Sequence, residues 1–343
     1  MNSGPLLEVE DLRVTYRGRR GLKLRRTPID AVRGVSFSIH PGRTLGLVGE
    51  SGSGKTSIAN AILGLVKSTV GSMRFSGTEL TQYKNQYPAA VRKQMQTVFQ
   101  DPYSSLNPSM SVEDIVGEPF RVHSSLNRAE RRDQVIELLN LVSLPEEHLG
   151  RHPHEFSGGQ RQRISIARAL ALKPKLLVLD EPVSALDVST QNQVINLLYA
   201  LRDELGLAYL LIAHDLALVH HISDRIAVMY RGHIVEEGPA ERVYSAPAHP
   251  YTLALIEAVP VPDPREQRSR RAKRRAALPP TNGVSDLIGC SYQGRCPRVM
   301  PICRQEAPPA FPVREGGVAR CFLYSDVGSN GPSSHLHPKG SEA

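Results

Sequence analysis

Eight consecutive residues carry the first chemical signal. Gly49-Glu50-Ser51-Gly52-Ser53-Gly54-Lys55-Thr56 follow a short aliphatic run, TLGLV, and lead into SIANAILGLV, a segment of helical period. The pattern G-x-x-x-x-G-K-[ST] between a strand and a helix suits a phosphate group. Glycines let successive backbone N–H groups point at phosphate oxygens, and the helix N-terminus adds partial positive charge. Lys55 is expected to reach the outer phosphates, and the Thr56 hydroxyl to ligate magnesium. Ser57, next along the helix, counts with the phosphate-binding residues. A second signal is Asp180-Glu181, which closes the aliphatic run KLLVL. Ligands of open α/β sheets bind outside the C-terminal ends of strands. Asp180 is placed there to hold magnesium or its water, and Glu181 to polarise the water that attacks the terminal phosphate. The bland alternatives are an unliganded glycine turn and a polar strand end. Together the two signals outweigh them.

These residues need rigid elements behind them. Residues 6–16 alternate apolar and polar and predict an edge strand, and VRGVSFSIHPG predicts a strand closed by a Pro41-Gly42 turn. QTVFQDP reads as a strand ending at a polar turn. KLLVLDEP and AYLLIAH are nearly continuous aliphatics, as in the middle of a parallel sheet. RIAVMYRGHIVEEG predicts a hairpin turning at Arg231-Gly232. Residues 111–165 are mostly helical in pattern, and TQNQVINLLYALRDEL adds another helix. Strands alternating with helices predict an α/β fold with a mainly parallel sheet. The helical stretch predicts an inserted helical subdomain at about residues 101–170.

Phe156-Ser157-Gly158-Gly159-Gln160 precedes a helix with Ile164, Ala167 and Leu170 on one face, and Ser157 suits its N-cap. With this segment the sequence resembles an ATP-binding-cassette (ABC) ATPase. SGGQ matches the family signature, with Phe156 where Leu is more usual. The resemblance implies further roles at matching positions. Tyr16 would stack on adenine, and Gln100 would contact magnesium and the attacking water. Asp187, in Ser184-Ala185-Leu186-Asp187, would lie at a dimer interface, and His214 would sense the terminal phosphate. It also implies a P-loop NTPase core with an antiparallel β subdomain, over residues 6–261. Each ATP would sit between the phosphate loop of one cassette and Ser157, Gly158, Gly159 and Gln160 of another. A second cassette, identical or paralogous, is therefore expected.

Two longer segments, FQDPYSSLNPSMSVEDIVGEPF and AHPYTLALIEAVPVPDP, resemble the dipeptide, oligopeptide and nickel importer branch. The branch implies two permease subunits and an extracytoplasmic binding protein, with the cassette at the cytoplasmic face of the membrane. Nickel, glutathione or another small solute are the alternative cargoes. A soluble cassette ATPase acting on nucleic acid or ribosomes is the remote alternative, because no second cassette or coiled-coil insertion is visible. A module that binds without hydrolysing is disfavoured by Glu181 and His214. For the HPYT stretch, the plain reading is a capped helix start with Tyr251 packed.

All four cysteines, Cys290, Cys296, Cys303 and Cys321, follow residue 289 with spacing C-x5-C-x6-C-x17-C. This differs from zinc ribbons, and four thiolates can hold a 4Fe-4S cluster. Members of the resembled group carry such a cluster in this extension; structural zinc and free thiols are the alternatives. Residues 286–324 are expected to form a small separate element with a structural or regulatory role, because nothing in the sequence places it near the phosphate loop. Residues 262–285 read as a basic linker and 325–343 as a disordered tail.

Composition narrows the rest. The chain has 343 residues, 40% hydrophobic and 22% charged, enough for a sizeable core. No run of 18 apolar residues suggests a membrane span, and MNSGPLLEVEDLRV lacks the apolar region of a signal peptide. The expected location is therefore cytoplasmic. The net charge is +8, and seven cations between Arg265 and Arg275, offset by Glu266, account for six of it. A local run beside Pro-Pro reads as a solvated linker, with a lipid-headgroup contact as the alternative; no nucleic-acid partner is expected.

Overall fold

The computed structural model describes residues 4–17, 28–83, 86–259 and 288–325. The expected linker at 262–285, and the tail beyond Ser325, lie outside the described residues. In chain order the elements are β1 (Leu7–Arg17), β2 (Pro28–Ile39), β3 (Thr44–Val48), α1 (Lys55–Ile62), β4 (Val70–Phe75), β5 (Thr78–Glu79), α2 (Ala89–Gln94), β6 (Met95–Val98), α3 (Pro102–Ser105), α4 (Val112–His123) and α5 (Arg128–Leu141). Then follow α6 (Gly158–Leu170), β7 (Leu176–Asp180), α7 (Val188–Leu205), β8 (Ala208–Ala213), α8 (Leu216–Ile222), β9 (Arg225–Tyr230), β10 (His233–Pro239), α9 (Ala240–Ser245), α10 (Pro250–Ile256), β11 (Phe311–Val313) and β12 (Gly317–Ala319). Among the described residues no helix is long and apolar enough to cross a membrane.

The chain divides into two compact units. The first comprises Met1–Val14, Ser36–Leu45 and Thr56–Ala213; the second comprises Thr15–Val35, Gly46–Lys55 and His214–Ala343.

In the first unit β6, β7 and β8 run parallel, with Met95 opposite Leu176 and Leu176 opposite Ala208. All residues of β7 and β8 are buried, which explains their unbroken aliphatic runs. Helices α3 to α6 fill the stretch where an inserted helical region is expected. Two of them carry reciprocal caps, Asn127 with Glu130 on α5 and Ser157 with Gln160 on α6. Helix α7 ends at Gly206, whose φ of 65° supplies the left-handed stop.

Strand β1 corrects one expectation. It is not an edge strand: it lies between β2 and β4. Its pairing with β4 is antiparallel and slips between Glu10 and Arg13. Asp11, at φ 45°, is the bulge residue. The slip moves the buried side from Leu7 and Val9 to Leu12 and Val14, so the alternation breaks midway. Gly71 opposite has no room for a Cβ, which would stand 2.5 Å from the Glu10 and Asp11 carbonyl oxygens.

In the second unit β9 and β10 form the expected hairpin, with Arg231 and Gly232 both at positive φ in the turn. The cysteine-bearing segment is not separate from this hairpin. Strand β12 pairs antiparallel with β10, Ala319 opposite Glu236, and β11 pairs with β12. Buried Glu236 organises the junction. Its carboxylate accepts from Arg242 Nη1 at 2.6 Å and from the backbone N–H groups of Ala248 and His249. Gly317 packs on the same guanidinium, so close that a Cβ would meet Arg242 Nη2 at 2.2 Å.

Candidate functional site

The phosphate loop belongs to the second unit up to Lys55. Gly52 has φ 77° and Gly54 φ 110°, torsions that L side chains avoid. A Cβ on Gly54 would also stand 2.2 Å from the Ala31 carbonyl oxygen, and one on Gly49 2.1 Å from that of Met229. The hairpin turn braces the loop, with the Gly232 N–H donating to the Ser53 carbonyl at 2.8 Å. Lys55 is only 5% exposed. Its ammonium donates to the carbonyl oxygens of Gly49 (2.7 Å) and Glu50 (3.1 Å), so the lysine arches over its own loop. The Ser53 hydroxyl is buried with no hydrogen-bond partner. Ser51 is exposed, and Ser57 is half-buried on α1. A loop with no room for a Cβ at Gly49 or Gly54, a buried lysine and an orphaned hydroxyl together fit a phosphate ligand.

The acidic group belongs to the first unit. Asp180 ends β7, and the Thr56 hydroxyl donates to its Oδ1 at 3.4 Å. A hydroxyl and a carboxylate are hard oxygen donors, as magnesium requires. Glu181 follows with φ 47°, a strained torsion for a non-glycine residue. Its N–H donates to the Ile212 carbonyl at 2.8 Å, which ties it to the end of β8. Gln100 Nε2 donates to Glu181 Oε2 at 2.9 Å. The structure thus brings together Thr56 with Asp180 and Gln100 with Glu181, across 124 and 81 residues of sequence.

The SGGQ segment is shaped by a neighbouring turn. Gly159 would carry a Cβ 2.3 Å from Thr190 Cγ2, and Gly158 one 3.0 Å from Leu186 Cδ2. Phe156 is buried with its ring edge-on to His148. Asp187 caps α7, accepting from Ser189 and Thr190. The Ser189 hydroxyl, followed by the Thr190 N–H and hydroxyl, holds this carboxyl well below the usual carboxylate range. Tyr16 is half-buried on β1, and His214 is exposed directly after β8.

The cysteine element touches the phosphate loop, a contact that nothing in the sequence indicates. Arg295 donates to both carboxylate oxygens of Glu50, at 2.9 and 3.0 Å. The Glu50 N–H donates to the Tyr251 hydroxyl at 2.9 Å. Helix α10 does start at a capping His249, yet Tyr251 does more than pack. Tyr230, Tyr251 and Tyr292 form a three-ring cluster with centroids 4.6 to 5.3 Å apart. Sequence reading missed Arg295, Tyr230 and Tyr292, since nothing in their local spacing marks them.

All four thiols are buried and unlinked. Every pair of them is close enough for charge on one to disfavour charge on the other. Burial raises the pKa of Cys290 and Cys296 and pushes that of Cys321 up to about 12, which disfavours the thiolates. Among the described residues, however, no three His, Cys, Asp or Glu side chains are grouped to hold a metal ion. The expected 4Fe-4S or zinc site is therefore not supported by this geometry.

A glycine-built loop between a buried strand and a helix, and a second buried strand ending in Asp-Glu, define a P-loop nucleotide-binding fold. Comparison with known proteins specifies it. The family profile for ABC transporters matches residues 32–184, and that for the oligopeptide/dipeptide transporter C-terminal region matches residues 235–303. The oligopeptide transport ATP-binding protein OppF of Salmonella typhimurium is 48% identical over 307 residues, 88% of this chain and 92% of that protein. AppF of Bacillus subtilis, another oligopeptide transport ATP-binding protein, is 45% identical over 328 residues, 94% of this chain and 99% of that protein. Among solved structures, a dimeric post-hydrolysis state of the ATP-binding cassette MJ0796 bound to ADP and Pi aligns with a TM-score of 0.59 at 28% identity. That alignment covers 68% of this chain and 98% of the cassette. The chain belongs to the ABC transporter ATPase family, whose chemistry is ATP hydrolysis.

Proposed function

We propose that the chain is the ATP-hydrolysing, energy-coupling subunit of a membrane importer for oligopeptides or dipeptides. The match of residues 235–303 to the peptide-transporter C-terminal region carries the peptide assignment. In this reading Lys55, Ser53 and the N–H groups of residues 49–57 hold the phosphates of ATP. Thr56 and Asp180 hold magnesium, which neutralises phosphate charge when bound. Glu181, oriented by Gln100, takes the proton of the attacking water, and His214 responds to the terminal phosphate. Ser157 to Gln160, with Asp187, complete the site of a second cassette, identical or paralogous. Two permease subunits would hold the pair at the cytoplasmic face of the membrane, and an extracytoplasmic binding protein would choose the cargo.

Replacing Glu181 with Gln tests the chemistry. Loss of a general base costs on the order of 100- to 10,000-fold in kcat, while ATP binding persists and the dimer stays closed. Full turnover in Glu181→Gln overturns the role. Uptake of labelled peptides by vesicles holding the assembled transporter tests the cargo; uptake of nickel or glutathione instead overturns it.

A further inference from the structure

The four-cysteine element reaches the phosphate loop at one residue, Glu50. A carboxylate inside a phosphate-binding loop is an electrostatic liability, because it repels the anion the loop must hold. Here that carboxylate is engaged on both oxygens by the Arg295 guanidinium, the fork-to-fork geometry that gives the most directional of ion pairs. The same residue's N–H is held by the Tyr251 hydroxyl. Glu50 is thus fixed through backbone and side chain by residues 201 and 245 positions away.

The anchors are themselves rigid. Tyr251 and Tyr292 are 1% and 2% exposed, and each packs against the other and against Tyr230. The Arg295 guanidinium carbon stands 5.9 Å from the Tyr292 ring centroid. Tyr292 and Arg295 fall between Cys290 and Cys296, and the Cys290 N–H donates to the Cys303 carbonyl at 2.8 Å. The turn that carries the arginine is therefore built on the thiol element.

We propose that Arg295 is a positioning residue for ATP binding: it masks the Glu50 charge and fixes the phosphate loop in its binding shape, so the four-cysteine element sets nucleotide affinity. Both partners are partly exposed, 35% for Arg295 and 44% for Glu50. An ion pair of that kind adds little to overall stability. Its effect belongs in binding, where the loop's shape and charge are read by the ligand.

The proposal rests on the assignment of residues 49–57 to ATP, and the test separates the two. A fluorescent ATP analogue is titrated into the full-length chain. Arg295→Gln is expected to raise Kd about five- to tenfold, with kcat at saturating ATP unchanged within twofold. Arg295→Lys, which keeps the charge and loses the fork, is expected to fall between. In a Glu50→Gln background, Arg295→Gln should cost less than twofold, since no carboxylate remains to mask. An unchanged or tighter Kd in Arg295→Gln overturns the proposal. So does an equal loss in both backgrounds, which a merely structural arginine would give. Lys55→Ala serves as the reference: it should abolish binding, and full affinity there would refute the loop assignment itself, with this proposal.

Discussion

In the phosphate loop the backbone does the shaping: Gly52 and Gly54 take torsions that L side chains rarely adopt, and the carbonyl oxygens of Ala31 and Met229 stand where a Cβ on Gly54 and on Gly49 would be. In the element of residues 288–325 the reverse holds. Its regular structure amounts to two three-residue strands and short helical turns, and side chains fasten it: Tyr292 in a ring cluster, Arg295 on Glu50, and four buried thiols. The first region carries its geometry within eight residues. The second acquires geometry only from partners far away in sequence. A motif search therefore finds the first and is blind to what the second touches.

Substitutions can break that contrast, and the largest effect is expected where the second region is fastened. Glu236→Ala leaves Arg242 buried without its carboxylate and strips the acceptor from the Ala248 and His249 N–H groups. Breaking a buried pair in this way costs about 3–5 kcal/mol, to be read from the urea midpoint. A loss below 1 kcal/mol would show that the junction relaxes around the gap. In the loop, Gly54→Ala combines a φ of 110° with a 2.2 Å approach to the Ala31 oxygen. The free loop relaxes to relieve about 1–3 kcal/mol of strain, and re-forming it around ATP predicts roughly a 10- to 100-fold weaker Kd with little change in melting temperature. Equal affinity would mean that the backbone is not what shapes the loop.

The smallest effect is a pH dependence between the two regions. Burial depresses the pKa of His249 from 6.5 to about 3, while its Nδ1 accepts from the Tyr251 N–H at 3.0 Å. The folded protein therefore keeps this imidazole neutral where the unfolded chain binds a proton. Stability falls as pH drops below about 6.5, by about 2 kcal/mol at pH 5. His249→Asn keeps a helix-capping side chain and lacks the titration. Between pH 7 and 5 it should lose less stability than the wild type; parallel losses would place the proton elsewhere. Glu236, whose pKa burial raises, is common to both proteins and drops out of the difference.

Much of the fold was legible because its signals are short. KLLVLD and AYLLIA read as interior parallel strands because both faces of each are buried. The Arg231-Gly232 turn, the Ser157 cap and the phosphate loop all declare themselves within a few residues. Strand β1 was misplaced because its bulge at Asp11 switches the buried face, and alternation alone does not distinguish an interior strand from an edge. Of the candidate site, the motifs single out Thr56, Asp180, Gln100 and Glu181 one by one, and the fold sets Thr56 against Asp180 and Gln100 against Glu181. The Arg295–Glu50 pair was invisible because an arginine beside a cysteine and a glutamate in a loop are each ordinary. Only folding makes them neighbours.

That contact also sets an order of events during synthesis. Domains form from the N-terminus as the chain leaves the ribosome at about 5–20 residues per second. Glu50 and Arg295 are 245 residues apart, so the arginine follows the loop after roughly 10–50 s. During that interval the nascent chain holds a complete phosphate-loop sequence with its acidic residue unmasked. A segment made late thus finishes one made much earlier, and a chain truncated before residue 295 should emerge with a weakened grip on nucleotide.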